Sequence, residues 1–519
     1  MGKEGGANVF SKAIRIIFSQ RVLVTILLLL QLGLLLFLVT TSIQYSDIIR
    51  AILSLLSILV VFYIFNKKDK PAYKLSWVFL ILVFPLFGGL FYLLFSFQST
   101  TRKVKREFEK IIQETKPLFA PRQDSLPKIK NESEEYLRTA RYLQEYAGFP
   151  LYQNTRTVYL TPGEAKFERL LRELANAQHY IFLEYFIVEE GLMWNSILDI
   201  LKEKAKAGVE VRFLYDDMGC LFRLPLNYPK ILGTYGIKAA VFNKFRPVLS
   251  TLQNNRDHRK IAVIDGKVAF TGGINLADEY INAVERFGHW KDAAIMVEGE
   301  AAWSLTLMFL QMWALATTTR EDYRKFRPWQ EEDCPIPSDG WVQPYADSPI
   351  DNEHVSEHVY MEIITGAKKY LYINSPYLIV DEGMLSALAL AAKAGVDVRI
   401  VTPHHWDKKF VHVTTRSYYR DLIKAGVKIY EYTAGFIHSK TFVADDKVAT
   451  VGTTNLDFRS LYLHFECGVW MYDTQAVQQV KDDFCLTLEK CHQVTLEDCK
   501  SNAFLRIIQD ILRIFAPLM

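Results

Sequence analysis

Cysteine is scarce in this chain of 519 residues: there are six, with no C-x-x-C pair among them. Their irregular spacing excludes a disulfide scaffold, and even the neighbouring Cys491, His492 and Cys499 match no usual zinc-ligand pattern. Charge is also thin, at 23% against 50% hydrophobic residues, which excludes a disordered protein. Nor is there an excess of one sign, since 61 Lys and Arg face 58 acids. The first hundred residues hold nine Lys and Arg and three acids, +6 of a whole-chain +3, which leaves −3 for residues 101–519. Such a body lacks the basic face that displaces counterions from nucleic acid, so no nucleic-acid partner is expected.

What is abundant is uninterrupted apolar sequence at the front. Val22 to Thr41 and Leu75 to Phe97 contain no charged residue, and Ile48 to Phe65 contains only Arg50. Each run is long enough, or nearly so, to cross a hydrocarbon core, although the third carries Pro85 and Gly88-Gly89. Residues 1–98 are therefore expected to form a leader of two to three transmembrane helices, making the protein multi-pass in the cell membrane. Lys67, Lys68, Lys70 and Lys74, with Lys3, Lys12, Arg15 and Arg21, place two flanks inside. Arg102, Lys103, Lys105 and Arg106 then oppose the parity, and the membrane face of the body stays open.

Beyond a charged connector, residues 99–145, the chain repeats itself. KAKAGVEVRFLYDD from Lys204 is answered by AAKAGVDVRIVTPH from Ala391, and DHRKIAVIDGKVAFTGGINLAD from Asp257 by IHSKTFVADDKVATVGTTNLDF from Ile437. Offsets of 187 and 180 residues are domain-sized rather than solenoid-sized. Helical stretches alternate with short β-branched runs such as Val209 to Leu214 and Ile261 to Ile264, which predicts two α/β sandwich domains over residues 146–335 and 336–500. A last segment, 501–519, reads as an amphipathic helix. Phe504, Leu505, Ile508, Ile511, Leu512 and Phe515 form one stripe, with Arg506, Gln509, Asp510 and Arg513 opposite. It suits a lipid interface or, more commonly, packing on its own domain.

Each half carries H-x-K-x-x-x-x-D: His258, Lys260 and Asp265, then His438, Lys440 and Asp445. On a strand, residues i and i+2 share a face, so each His and Lys project together. An imidazole beside a fixed ammonium suits a phosphate ester, one group attacking phosphorus or donating a proton while the other neutralises oxygen charge. Glycine-containing turns follow, ending in Asn275 and Asn455, whose amides can donate to phosphoryl oxygens. The aspartates also suit a hydrogen-bonded turn.

These duplicated motifs resemble those of the phospholipase D superfamily. Together with FPLFGGLFYLLFS near Phe97, NLDFRS from Asn455, HFECG around Glu466 and the tail FLRIIQDILRIFAPLM, they resemble the bacterial-type cardiolipin synthase family. Ser375-Pro376-Tyr377-Leu378-Ile379-Val380 departs from that family by lacking a second proline. The resemblance implies two phospholipase D-like domains in pseudo-twofold arrangement, sharing one site. It implies transfer of a phosphatidyl group between two phosphatidylglycerol molecules through a phosphohistidine, giving cardiolipin and glycerol, with no cofactor or metal. His258 is taken as nucleophile and His438 as acid/base, although the symmetry leaves the swap open. Lys260, Lys440, Asn275 and Asn455 would hold phosphate oxygens; Glu466, which matches the family position, would orient an imidazole, and Asp292 would either do the same or be a surface or structural residue. A membrane-tethered phospholipase D hydrolase and a non-catalytic anionic-lipid scaffold are the alternatives. Preferred lipids and oligomeric state stay open.

Overall fold

A computed structural model describes residues 33, 47–84, 88–96, 99–119, 125–245, 251–328, 336–337, 339–351 and 353–518. It divides into two compact units, residues 1–101 with 245–253, and residues 102–244 with 254–519.

In the smaller unit, α1 (Asp47–Asn66), α2 (Pro71–Val83) and α3 (Gly88–Ser96) pack on one another. A Cβ on Gly89 would sit 2.8 Å from the Cα of Ser57, so glycine is what lets α3 approach α1. The expected crossings need correction here. Among the described residues no helix is long and apolar enough to cross a membrane. The expected span Leu75 to Phe97 is not one helix. Phe84, which precedes Pro85, takes φ −123° and ψ 66° and ends α2, as the clash of a proline ring with its preceding residue favours. The expected span Val22 to Thr41 lies outside the described residues except for Gly33. The outer faces of α1 and α2 are nevertheless apolar, with Leu55, Leu59, Phe62, Leu75 and Leu82 exposed.

The larger unit holds both repeats, and α4 (Ser99–Thr115) enters it by burying Phe108 and Ile111 in its core. The first half supplies β1 (Thr155–Leu160), β2 (Tyr180–Tyr185), β3 (Glu210–Asp216), β4 (Lys238–Phe242), β5 (Arg256–Asp257), β6 (Ile261–Ile264), β7 (Val268–Gly272), β8 (His289–Lys291) and β9 (Ala294–Gly299). Its seven-stranded sheet runs β1-β9-β7-β6-β2-β3-β4.

The second half supplies β10 (Trp341–Asp347), β11 (Tyr370–Asn374), β12 (Leu378–Ile379), β13 (Asp397–Pro403), β14 (Lys428–Tyr432), β15 (Gly435–Ile437), β16 (Thr441–Ala444), β17 (Val448–Gly452), β18 (Leu456–Asp457), β19 (His464–Tyr472) and β20 (Cys491–Gln493). Its sheet runs β10-β19-β17-β16-β11-β13-β14-β20, which reproduces the first order strand for strand and adds β20 at the edge. The sequence duplication is thus a duplication of topology.

Helices cover the sheets. In the first half these are α5 (Gly163–Asn176), α6 (Leu192–Lys206) and α7 (Ala302–Thr317). The second half has α8 (Val355–Gly366), α9 (Glu382–Lys393), α10 (Lys409–Lys424), α11 (Gln475–Leu488) and, at the end, α12 (Ala503–Phe515). Every residue of α7 from Ala302 to Ala314 is buried, because it lies in a core that both sheets share. Ala269, Ile295 and Val297 of the first sheet and Val443, Val451, Val469 and Met471 of the second belong to that one cluster. A helix so placed must be apolar all round, and AWSLTLMFLQMWALA nearly is.

Candidate active site

The two histidines sit where the ladders of their own sheets are interrupted. Residues 258–260 lie between β5 and β6, and 438–440 between β15 and β16, outside any strand. Their backbone is held by the other half instead. β5 pairs in parallel with β19, and His258 N donates to Phe465 O at 3.0 Å. Reciprocally, β15 pairs with β8, and His438 N donates to Lys291 O at 2.7 Å. Such isologous exchange is what a pseudo-twofold relation between the halves produces.

The side chains repeat the exchange. His258 Nδ1 lies 2.9 and 3.0 Å from the two carboxylate oxygens of Glu466, and His438 Nδ1 lies 2.7 Å from Asp292 Oδ2. Each imidazole is therefore oriented by an acid from the opposite half. A carboxylate only accepts, so Nδ1 carries the hydrogen in both rings and the lone pair of the neutral imidazole is on Nε2.

Burial pushes the His258 imidazole well below its ordinary pKa, and the charges of Lys260 and Lys440 add to the effect. Burial also lowers His438, to about 4, helped by Lys440 and opposed by Asp292. Burial alone would raise Asp292, but the His438 and Lys440 charges and the His438 hydrogen bond outweigh it and hold this carboxyl low. Lys260 and Lys440 are buried too, which lowers them to about 8 and about 7. Their Nζ atoms donate to the carbonyls of His258, at 2.5 Å, and of His438. Two imidazoles and two ammonium groups thus converge in a dry setting, where an anion would be bound strongly and would restore the charge on the lysines.

Beyond the orienting acids the halves differ. Glu466 also accepts from Thr453 Oγ1 at 2.5 Å. The position equivalent to Thr453 is Gly273, where a Cβ would fall 2.0 Å from Asp292 Oδ1. A long acid with a hydroxyl partner in one half replaces a short acid against a bare glycine in the other. Asp292 Oδ1 instead accepts from the Ala293 N–H at 2.8 Å.

The motif aspartates lie at the far ends of β6 and β16. Asp265 accepts from the N–H groups of Gln178, His179 and Tyr180 at 2.7 to 2.8 Å, and Asp445 from those of Lys368, Lys369 and Tyr370 at 2.7 to 2.9 Å. Both are in the left-handed region, with φ 51° and 57°. They tie the start of β2 or β11 to its neighbour and do not meet the imidazoles. The asparagines are close by but partly engaged. Asn275 accepts from Ile187 N at 2.9 Å and donates to Tyr280 OH at 2.7 Å, while Asn455 donates to Asp457 at 3.1 Å.

Several contributors carry no motif signal. Phe186 stands edge-on to His258 at 5.0 Å, Trp290 and Tyr280 flank His438 at 5.4 and 5.7 Å, and His464 lies 5.4 Å from His258. His464 alternates with Glu466 on β19, a spacing of two that could have shown that they share a face. His258, His464 and Glu466 could in principle hold a metal, since their ligand atoms lie within 4.8 Å of one another, but the His258–Glu466 pair already uses those atoms on each other. Arg259 points the other way from its neighbours, into a buried pair with Glu184 at 2.7 Å that fixes β5 against β2.

Residues 170–313 and 360–486 match the family described as "Cardiolipin synthase, PLD-like domain", and residues 55–96 match "Phospholipase_D-nuclease N-terminal". An uncharacterized protein of Streptococcus mutans is 47% identical over 88% of this chain and 99% of its own length. A protein named cardiolipin synthase from Halalkalibacterium halodurans is 37% identical over 95% of this chain and 98% of its own. Another of that name from Geobacillus kaustophilus is 37% identical over 87% and 90%. Among solved structures, phosphatidylserine synthase of Haemophilus influenzae superposes with a TM-score of 0.56 at 16% identity, covering 73% of this chain and 98% of that one, a likeness of fold.

Proposed function

The chain belongs to the cardiolipin synthase family with phospholipase D-like domains, and we propose that it transfers a phosphatidyl group from one phosphatidylglycerol to another, releasing glycerol. The crossed His–carboxylate pairs carry this reading, because a double displacement at phosphorus requires one oriented neutral imidazole to attack and a second, protonated at Nε2 once the phosphate anion is bound, to give up its proton, beside two lysines.

His258 Nε2 attacks the phosphorus of the donor lipid. A P–N bond forms, the bond from phosphorus to the glycerol oxygen breaks, and His438 supplies the proton that makes glycerol a leaving group. The hydroxyl of a second phosphatidylglycerol then gives its proton to His438 and attacks phosphorus, breaking the P–N bond and freeing His258. Burial depresses both rings, and the pseudo-twofold relation of the halves makes the exchanged assignment, His438 as nucleophile and His258 as proton carrier, the mirror of this one. Lys260 and Lys440, with the free hydrogens of the Asn275 and Asn455 amides, hold the non-bridging oxygens. Nothing in this sequence of steps requires a cofactor.

We place the protein in the cell membrane as a multi-pass protein. The uncharged run Val22 to Thr41 and the apolar outer faces of α1 and α2 support that placement. Lipid mass spectrometry after incubation with phosphatidylglycerol in mixed micelles tests the reaction. Cardiolipin and glycerol are expected from the parent protein and from neither His258→Ala nor His438→Ala. Phosphatidic acid alone would make the enzyme a hydrolase, and lipid binding without a product would make it a scaffold.

A further inference from the structure

An amphipathic helix that packs on its own domain turns its apolar stripe inward. The terminal helix α12 does so only in part, with Ile508, Leu512 and Phe515 half-buried and other apolar residues turned outward. No residue of it is buried, and Phe504, Ile507 and Ile511, at i, i+3 and i+7, are 72%, 57% and 44% exposed. Arg506, Gln509, Asp510 and Arg513 of α12, with Leu505, line a cavity of ≈ 540 Å³ shared with α10, Arg506 and Asp510 from its exposed rim. Arg513 seals one end through Asp421 at 3.1 Å and lies over the Tyr418 ring. Phe504, Ile507 and Ile511 form a contiguous apolar patch left in water, so this orientation calls for an occupant.

The flanks indicate which occupant. Lys500, Arg416, Arg420, Arg506 and Arg513 border the cavity against three acids, Asp421, Asp498 and Asp510. Arg420 and Arg506 are exposed and have no ion-pair partner among the described residues. Phe410, 67% exposed, continues the face of α10 that presents Val413, Ser417 and Arg420 to the cavity. An apolar ridge bordered by cations matches the headgroup boundary of an anionic bilayer.

We propose that α12 is a bilayer-docking helix, with Phe504, Ile507 and Ile511 inserted among acyl chains and Arg420 and Arg506 on lipid phosphates. It presents the catalytic unit to its lipid substrate, and in that respect rests on the function proposed above. The route to the site is short. Thr415 of α10 accepts from Leu378 N at 3.3 Å, and β12, which holds Leu378, pairs with β18 immediately after Asn455. Membrane contact at α12 is therefore one helix away from the phosphate-binding turn.

Two measurements on the full chain test this. With the photoreactive residue benzoylphenylalanine in place of Phe504, illumination in vesicles of phosphatidylglycerol and phosphatidylethanolamine is expected to give adducts with the mass of one phospholipid. Adducts only within the chain, or to a second copy, would overturn the proposal. In the second, Phe504→Asp combined with Ile507→Asp is expected to lower cardiolipin formation in those vesicles at least tenfold, while changing turnover of monomeric short-chain phosphatidylglycerol less than twofold. Equal losses on both substrates, or none on vesicles, would also overturn it. A parent protein that makes no cardiolipin from either substrate would instead refute the function, and the photoadduct would still decide the docking.

Discussion

His258 of the first repeat is bonded to Glu466 of the second, 208 residues later, while His438 of the second is bonded to Asp292 of the first. Each half thus depends on the other for the tautomer of its own imidazole. Glu466→Gln and Asp292→Asn keep the size of the acid but can present an N–H to Nδ1, which favours the wrong tautomer. Each is expected to lower kcat about 10³-fold with little change in KM, read from initial rates of cardiolipin formation. A loss confined to KM would place these acids in substrate binding.

The unequal support behind the two acids predicts unequal responses. Thr453→Val removes one hydrogen bond to Glu466 and is expected to cost about tenfold in kcat, since the His258 contact survives. Gly273→Ala places a methyl group where Asp292 stands and should lower kcat at least about a hundredfold, with loss of thermal stability. Steady-state rates and melting curves of the two variants separate the cases.

The motif aspartates are expected to behave as structural residues. Asp265→Ala strands three backbone N–H groups and should lower unfolding free energy by about 3 kcal/mol or more, with kcat per folded molecule changed less than about threefold. Denaturant titration alongside active-site counting measures both. A collapse of kcat in fully folded protein would return Asp265 to the chemistry.

Acid stability follows from the imidazoles. The folded pKa of His438 is about 4, below its unfolded value of about 6.5, so the unfolded chain binds more protons between these limits. Stability is complete above about pH 6.5 and falls as pH drops towards 4, with His438 alone contributing on the order of 3 kcal/mol. His438→Gln should flatten that part of the melting-temperature profile. An unchanged slope would mean that His438 does not titrate in this window.

The sequence reveals much of this because duplication marks what both halves need. The His-Lys pairs, the strand–helix alternation and the closing asparagines are all local patterns, although the pairs lie between strands and not on one as their spacing suggests. The partner acids are legible as candidates, yet their crossing is not, because it depends on β5 meeting β19 and β15 meeting β8 across the core. Thr453 is concealed for the same reason. It looks like a turn residue until Glu466 is seen to need a second donor. Leu75 to Phe97 misleads because an uncharged run shows hydrophobicity but not continuity of a helix, and Phe84 before Pro85 breaks it.

The strands that immediately precede the histidines, β5 and β15, are hydrogen-bonded to the opposite half, so the docking of the halves and the aim of the two rings are a single coordinate. A slip of one residue along either ladder, about 3.3 Å, would part an imidazole from its acid. A ribosome that has finished only the first repeat has made His258 without Glu466. The first imidazole is therefore aimed only once β19 is in place.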